Sequence, residues 1–506
     1  MKKDIFIPSK YQIALFSEIT DTRNHILVQA VAGSGKTTSI VRSLELLPKN
    51  KDIIFLAFNK SIIKELKEKV PKNVTVSTLH SFGMQTLYRH YGGEIKFVED
   101  KMFYLAIKLS KDWVIPSDEK NHFVYCNRIR QLCDIMRQCM ITEDEDAIYQ
   151  LSLKYNIDVF ANEIVHAMEV VRVADKNFDQ VDFVDMIYQL ARRNLKTKRY
   201  DYVFVDEVQD LNIAQQTIVK KLLKPGIGRF IGVGDPFQSI YGFAGADFES
   251  FDKMKKLFPN MSEMPLSMCY RCGIEIVKHA SDIVPHIEFN PKQEKGVVRY
   301  DGRFEEIESG DWILCRNTKP LVFAFIELLR QGKKANIKGK EIGANLVLMI
   351  KKSKKKDLST LIKYLKVDRV KIKEKLIKKG VKRVNEHEKV IQFTEKIEII
   401  QILGKVVGNS VSALIKYIDE LFLDEEIPGI TLSTIHKSKG LEADRIFVIC
   451  KELLPSPFAT QPHEIIQEMN LDYVMRTRAK KELIYVPLHH FNPKLVEQEQ
   501  DIHDDF

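Results

Sequence analysis

The sequence predicts an α/β fold built on parallel sheets, and three observations carry that prediction. The first is AVAGSGKTT at Ala30–Thr38, set between an apolar run and a helical pattern. The second is a series of short apolar runs, among them IIFLAF at Ile53–Phe58 and YVFV at Tyr202–Val205, each followed by polar residues. Strands of a parallel sheet read this way because both of their faces are covered. The third is that the same pattern starts again after Leu266, which calls for a second sheet. At 506 residues the chain exceeds one ordinary core, and length alone suggests three or four domains.

Composition narrows the class. Hydrophobic residues at 44% and charged residues at 29% are those of a globular protein. There is no run of about eighteen apolar residues to span a bilayer, and MKKDIFIPSK lacks the apolar stretch of a signal peptide, so a cytoplasmic location without membrane contact is expected. Seven scattered cysteines suit reduced thiols, since the single CxxC at Cys269 and Cys272 has no second pair to complete a metal set. Lys plus Arg exceed Asp plus Glu by 78 to 69, a net charge of +9 that fits a polyanionic partner. Lys351, Lys352, Lys354, Lys355 and Lys356 form one run, with basic character continuing to Arg383. It suits either a solvated helix face or contact with a phosphate backbone.

In chain order, Gln12 precedes the Ala30–Thr38 loop and offers a donor and an acceptor together, as the edge of adenine requires. Ile26–Val28 is the strand leading into the loop, and Ser39–Leu47 the helix leaving it. Small residues let the backbone turn tightly and aim its N–H groups at a polyphosphate, so Ala32, Gly33, Ser34, Gly35, Lys36, Thr37 and Thr38 are the expected contacts. Lys36 reaches the β- and γ-phosphates, and the Thr37 hydroxyl suits Mg²⁺. Phe58, Asn59, Thr78 and His80 lie just beyond strand ends, where ligands of open α/β sheets bind, although Phe58 and Phe82 suit core packing equally.

Residues 86–198 read as a helical insertion, and Phe183 in its DFVDM segment points either toward a ligand or into the core. YVFVDEVQD delivers two carboxylates at a strand end: Asp206 to hold Mg²⁺ through water, and Glu207 to orient or deprotonate an attacking water. GDPFQSIYGFAGAD places Gln238 where an amide senses a terminal phosphate, with Tyr241 and Phe243 a step beyond. The second pattern brings Tyr270 and Arg271 in LSMCYRC, strands at Trp312–Leu314 and Ile430–Leu432, and Arg476 and Arg478 ahead of a last strand at Leu483–Val486. The expected division is 1–85 with 199–262, then 263–330 with 428–490, with a Lys-rich helical insertion at 331–427 and an acidic tail at 491–506.

Taken together and in this order, these segments resemble superfamily 1 DNA helicases of the UvrD/Rep/PcrA kind. AFNKS at Ala57–Ser61 and VPKNVTVSTLHS are most similar to the F-box DNA helicase branch, without its F-box extension. The resemblance implies two RecA-like parallel-sheet domains of the P-loop NTPase class, each with a largely helical insertion, and ATP with Mg²⁺ as cofactors. It implies adenine contact by Gln12 and stacking by Tyr270, catalytic arginines at Arg271 and Arg478, coupling through Gln238, and nucleotide contact by Glu442. It further implies single-strand contact through Phe58, Asn59, His80, Phe183, Tyr241, Phe243, Thr434 and His436, with GKEIG at Gly339–Gly343 facing duplex.

The implied activity is ATP-driven 3′-to-5′ translocation that unwinds duplex DNA; stripping of proteins from single strands is the alternative. The implied partners are single-stranded DNA, single-strand/duplex junctions and a single-strand-binding, replication or recombination protein, with the chain a monomer or weak dimer. One departure stands out: where the family usually has tryptophan and then arginine, this chain has Phe243 and Ala244.

Overall fold

The computed structural model describes residues 6–491 apart from 59, 94, 116–121, 156, 158, 178, 241–248, 379–383 and 424–427. It forms two compact units, Met1–Met268 and Cys269–Phe506. Asn59, Tyr241 and Phe243, expected at DNA, lie outside the described residues, as do Ala244 and most of the acidic tail.

In the first unit the strands are β1 (His25–Ala30), β2 (Ile53–Ala57), β3 (Val74–Thr78), β4 (Lys96–Phe97), β5 (Gln180–Val181), β6 (Tyr202–Val205), β7 (Arg229–Gly234) and β8 (Met261–Leu266). Six of them form one parallel sheet in the order β3-β2-β6-β7-β1-β8. Alternate residues point to opposite faces of a strand, and the packing follows that period. Ile26, Val28, Ile53, Phe55 and Phe204 join a core under helices Lys10–Asp21 and Lys36–Leu46. Leu27, Ile54, Leu56, Val203 and Val205 join another core with Leu79, Ile187 and Ile218.

Between β3 and β6 run helices Leu79–Tyr91, Lys101–Leu109, His122–Gln138, Glu145–Lys154, Ala161–Ala174 and Asp185–Arg192. Four of these have a core of their own, built on Met102, Ile129, Met136, Ile148 and Val170. Within this stretch, expected to be wholly helical, β4 pairs with β5 as a two-residue parallel ladder, too short to leave a period in the sequence.

The loop-leaving helix begins at Lys36 rather than Ser39, because Gly35 takes a left-handed conformation (φ 77°) and the next residue is already helical. β8 was not apparent from the sequence. MSEMPL lies at the sheet edge, mostly half-exposed, and carries Pro265, so it lacks the continuous apolar run of the inner strands.

Short strands β9 (Met268–Cys269), at the boundary between the units, and β10 (Glu288–Phe289) come next in the chain. They precede β11 (Val297–Arg299), β12 (Trp312–Cys315), β13 (Ala335–Lys338), β14 (Phe422–Leu423), β15 (Ile430–Thr434), β16 (Ala443–Ile449) and β17 (Ala479–Val486). The last seven form a parallel sheet in the order β11-β17-β16-β12-β15-β13-β14. Helices Lys340–Ser353, Leu358–Lys378, Glu388–Val407 and Val411–Leu421 lie between β13 and β14 and pack into one core with Ile313, Ile337, Leu432 and Phe447. Gly339 caps the first of these helices, so GKEIG is a helix start; Lys351, Lys352, Lys354, Lys355 and Lys356, at its far end, are all exposed.

All seven cysteines are free and buried. Among the described residues, no helix is long and apolar enough to cross a membrane.

Candidate active site

The site is assembled at the carboxyl ends of β1, β6 and β7, which the sheet order makes neighbours. After β1, Gly33 (φ 67°) and Gly35 (φ 77°) both adopt the left-handed conformation that other residues reach only at a cost of about 1 kcal/mol or more. They turn the chain so that helix Lys36–Leu46 starts inside the motif, with its positive N-terminus toward the loop. Ala32 and Ser34 are buried, Thr37 is half-buried and Thr38 exposed. The buried Ser34 hydroxyl has no partner among the described residues, as expected of a group that awaits an anion.

Lys36 donates to Glu207 Oε1 at 3.0 Å, a contact between residues 171 apart in sequence. Burial works against the Lys36 charge, but Glu207, Asp206 and Asp235 outweigh it and hold the pKa above the ordinary lysine value. Glu207 itself has φ 54° and ψ 46°, a left-handed backbone that is rare for glutamate. Strain of this kind persists where surrounding bonds over-determine it. Here the Glu207 N–H donates to Asp206 Oδ1 at 2.9 Å, and the Gln209 amide donates to Glu207 Oε2. The other end of the Gln209 amide accepts from the Asp235 N–H at 3.0 Å. A Cβ at position 234 would come within 2.2 Å of that oxygen, so Gly234 makes the bridge sterically accessible. Gln238 donates to Asp235 Oδ2 at 2.7 Å.

Sequence reasoning missed Gln209 and Asp235. The signal for Asp235 was present, since an acid directly after the buried run of β7 is the pattern that marked Asp206. Burial first, and the Glu207 charge second, push Asp206 up to about 7; burial pushes Asp235 up to about 6. A carboxyl group in that state suits a divalent cation, which would relieve the desolvation that raises it. No group of three or more His, Cys, Asp or Glu able to hold a metal occurs among the described residues. Thr37 and Asp206 offer the oxygen donors that suit Mg²⁺, which is held through few protein ligands together with phosphate oxygens and water.

A pH dependence follows. Because the folded pKa of Asp206 is raised above its ordinary 3.8, its contribution favours the fold fully below about pH 4 and is lost as pH rises through about 7. Asp206→Asn should therefore stabilise the nucleotide-free protein at pH 8 by ~1–4 kcal/mol, with the gain shrinking toward pH 4. Urea unfolding of both proteins at the two pH values measures this, and equal stability at pH 8 would refute it.

Gln12 is buried beside the loop, its Nε2 3.7 Å from where a Cβ on Gly35 would lie. Its amide is engaged at both ends, donating to Ser39 Oγ at 2.9 Å and accepting from the Ser9 N–H at 2.9 Å.

The aromatic residues gather next to the acids. A cavity of about 410 Å³ is lined by Phe58, His80 and Phe183 and reaches Asp206. His80 and Phe183 stack with centroids 3.9 Å apart and planes 20° from parallel. Phe58 is 38% and Phe183 54% exposed, whereas Phe82, at 7%, belongs to the core.

In the second unit Arg271 Nε lies 2.5 Å from Glu442 Oε2, and Lys480 pairs with the other oxygen at 3.1 Å. Burial alone would raise the Glu442 pKa, but Arg271 and Lys480 hold it below the usual carboxylate value. Arg478 is fully buried, donating to the carbonyls of Val474 at 2.9 Å and Leu441 at 3.0 Å. Burial, then the neighbouring Arg271, push it down to about 9. Tyr270 is half-buried, and its carbonyl accepts from Gln293 at 2.6 Å. Arg476 pairs with Asp472 and Asp282, both at 3.1 Å, a structural set of bonds. Thr434 closes β15 in a buried position, and His436 just beyond is pushed down to about 3 by burial and by Arg316.

A glycine-turned loop ahead of a helix N-terminus, with a lysine over adjacent acids, defines a phosphate-binding-loop protein, and the two parallel sheets are those of two RecA-like domains. Residues 14–259 match the family described as the UvrD/REP helicase N-terminal domain. The chain is 27% identical over 290 residues to the ATP-dependent DNA helicase PcrA of Staphylococcus aureus, covering 53% of this chain and 38% of that one. It is 24% identical over 310 residues to a probable DNA helicase II homolog of Mycoplasma capricolum, covering 53% and 40% of the two chains. A probable DNA helicase of Mycoplasma pneumoniae is 23% identical over 495 residues, covering 91% and 80%. Residues 14–259 are thus similar to a UvrD/REP helicase N-terminal domain, and the chain is similar to superfamily 1 UvrD/PcrA-like helicases, though it spans about two fifths of the length of the first two relatives.

Proposed function

We propose that this protein is an ATP-dependent DNA helicase that hydrolyses ATP with Mg²⁺ and moves 3′ to 5′ along single-stranded DNA. One observation carries the reading: the cavity lined by Phe58, His80 and Phe183 also reaches Asp206, so an aromatic surface and an acid of the phosphate-loop site line one cavity. Flat exposed rings suit sequence-independent stacking of bases, and the acid pair with Lys36 suits phosphoryl transfer to water. Lys36 and the loop N–H groups hold the phosphates, Glu207 orients the water, and Gln238 with Asp235 senses the terminal phosphate. Arg271 and Arg478 supply cations to the leaving charge, and Tyr270 and Glu442 complete nucleotide contact. Gln12 takes adenine by exchanging its bond to Ser39 or Ser9. In the second unit Thr434 and His436 add strand contacts, and the exposed Lys351–Lys356 run meets duplex.

DNA-stimulated ATP hydrolysis and strand displacement on 3′-tailed, 5′-tailed and blunt duplexes test this reading. Displacement of the 3′-tailed duplex alone is expected. Hydrolysis without displacement of any duplex would assign the motor to removal of bound proteins, and absence of DNA stimulation would remove the motor reading altogether. Phe183→Ala should weaken single-strand affinity by ~5–100-fold, the range of one lost base stack; fluorescence anisotropy with an unstructured oligonucleotide measures it, and unchanged affinity would exclude Phe183 from the DNA path.

A further inference from the structure

The Phe183–His80 stack is exposed, yet its position is set from a fully buried place directly behind it. Phe183 sits in a short turn between Asp182 and Asp185, and both acids point inward. Arg137, 0% exposed at the end of helix His122–Gln138, donates to Asp182 Oδ1 at 3.0 Å and Oδ2 at 2.7 Å, and to Asp185 Oδ1 at 2.9 Å. Lys101, 2% exposed, donates to Asp185 Oδ2 at 2.7 Å. The turn is closed on itself as well: the Asp185 N–H donates to Asp182 Oδ1 at 2.7 Å, and the Asp182 N–H to Asp185 Oδ2 at 3.2 Å.

His80 is fixed from the other side. Helices Leu79–Tyr91 and Asp185–Arg192 touch at Gly83, where a Cβ would lie 1.9 Å from the Met186 carbonyl oxygen. That approach leaves no slack, so the registry of the two helices, and with it the 3.9 Å ring separation, depends on where the Asp182–Asp185 turn is anchored.

Buried ions of this kind cost desolvation energy that an apolar core would avoid, and a bidentate arginine fixes geometry as well as charge. We infer that Arg137 and Lys101, both from the helical segment between β3 and β6, are positioning residues for single-strand binding: they hold Phe183 against His80 as a ready-made face for a base. The inference rests on the DNA reading above and adds to it a role for residues that touch no DNA. In consequence, movement of helix His122–Gln138 is transmitted to the stacking face through Arg137.

Arg137→Lys keeps the charge but loses the two-pronged bond to Asp182, and Lys101→Met leaves every Arg137 bond in place. Each is measured in the full chain, alone and combined with Phe183→Ala, by oligonucleotide anisotropy, by quenching of a 2-aminopurine-containing single strand, and by ATP turnover at saturating DNA. Both variants are expected to weaken single-strand affinity by ~5–50-fold and reduce quenching, with turnover at saturating DNA within about 2-fold of the parent. Neither change should lower affinity further once Phe183 is alanine. Parental affinity in both variants overturns the inference, and so does an equal loss with and without Phe183, which would mark general destabilisation. Should Arg137→Lys fail to fold, Lys101→Met alone decides between these results. Failure of the parent to bind, or a Phe183→Ala variant with undiminished binding, would instead overturn the DNA reading and the inference with it.

Discussion

Alanine at position 36 should reduce ATP turnover by at least ~10³-fold while the nucleotide-free protein still binds single-stranded DNA. Lys36 carries the charge nearest to Glu207, Asp206 and Asp235, and its pKa is held up by all three. Without it, an incoming triphosphate would meet buried acids with no lysine to offset them. The fold should nevertheless survive, because Asp206 and Asp235 already lie at about 7 and about 6, and loss of the Lys36 charge that lowers both raises them further, so that they take up protons more readily. The aromatic cavity has Phe58, His80 and Phe183 in its lining and not Lys36, so strand affinity should change little. Steady-state phosphate release and anisotropy check the two halves separately; turnover within about 10-fold of the parent would show that the loop is not the hydrolytic site.

Arg271→Ala and Arg478→Ala should each remove ~10³-fold or more of hydrolysis, yet differ in stability. Arg271 is partly buried against Glu442, which keeps Lys480 as a partner when the guanidinium is lost, so its replacement should cost the fold about 1 kcal/mol. Arg478 is buried, and its replacement takes a donor from the Leu441 carbonyl and from the Val474 carbonyl, which keeps Thr477 Oγ1 at 3.2 Å, at a cost of ~1–3 kcal/mol. Arg478→Lys keeps a buried cation and separates the two effects. Thermal unfolding paired with turnover decides the matter. Parental hydrolysis by Arg271→Ala would end its assignment as a catalytic cation, and parental stability of Arg478→Ala would contradict the buried bonds.

Much of the architecture was legible because its signals are local. Inner parallel strands appear as unbroken apolar runs, so β2 and β6 stood out, whereas edge strand β8, with Pro265 and half-exposed side chains, did not. Phe58, Phe82 and Phe183 were alike in sequence; only packing separated the buried Phe82 from the two exposed rings. Burial of Arg478 was equally invisible, since MRTRA gives no sign that this guanidinium is enclosed by the carbonyls of Val474 and Leu441. Gln12 was readable as a polar group near the loop, but not its bonds to Ser9 and Ser39.

By itself the sequence determined the phosphate loop, the acid pair and the repeated α/β pattern. A turn of glycines and the residues flanking a strand end are specified by neighbours along the chain. Tertiary structure alone decided which distant side chains meet: Lys36 with Glu207, Gln209 between Glu207 and Asp235, and Arg137 behind Phe183. The reason is physical. Strand order in a parallel sheet is set by long crossovers and by the burial of both faces, and no local pattern encodes which carboxyl ends become neighbours.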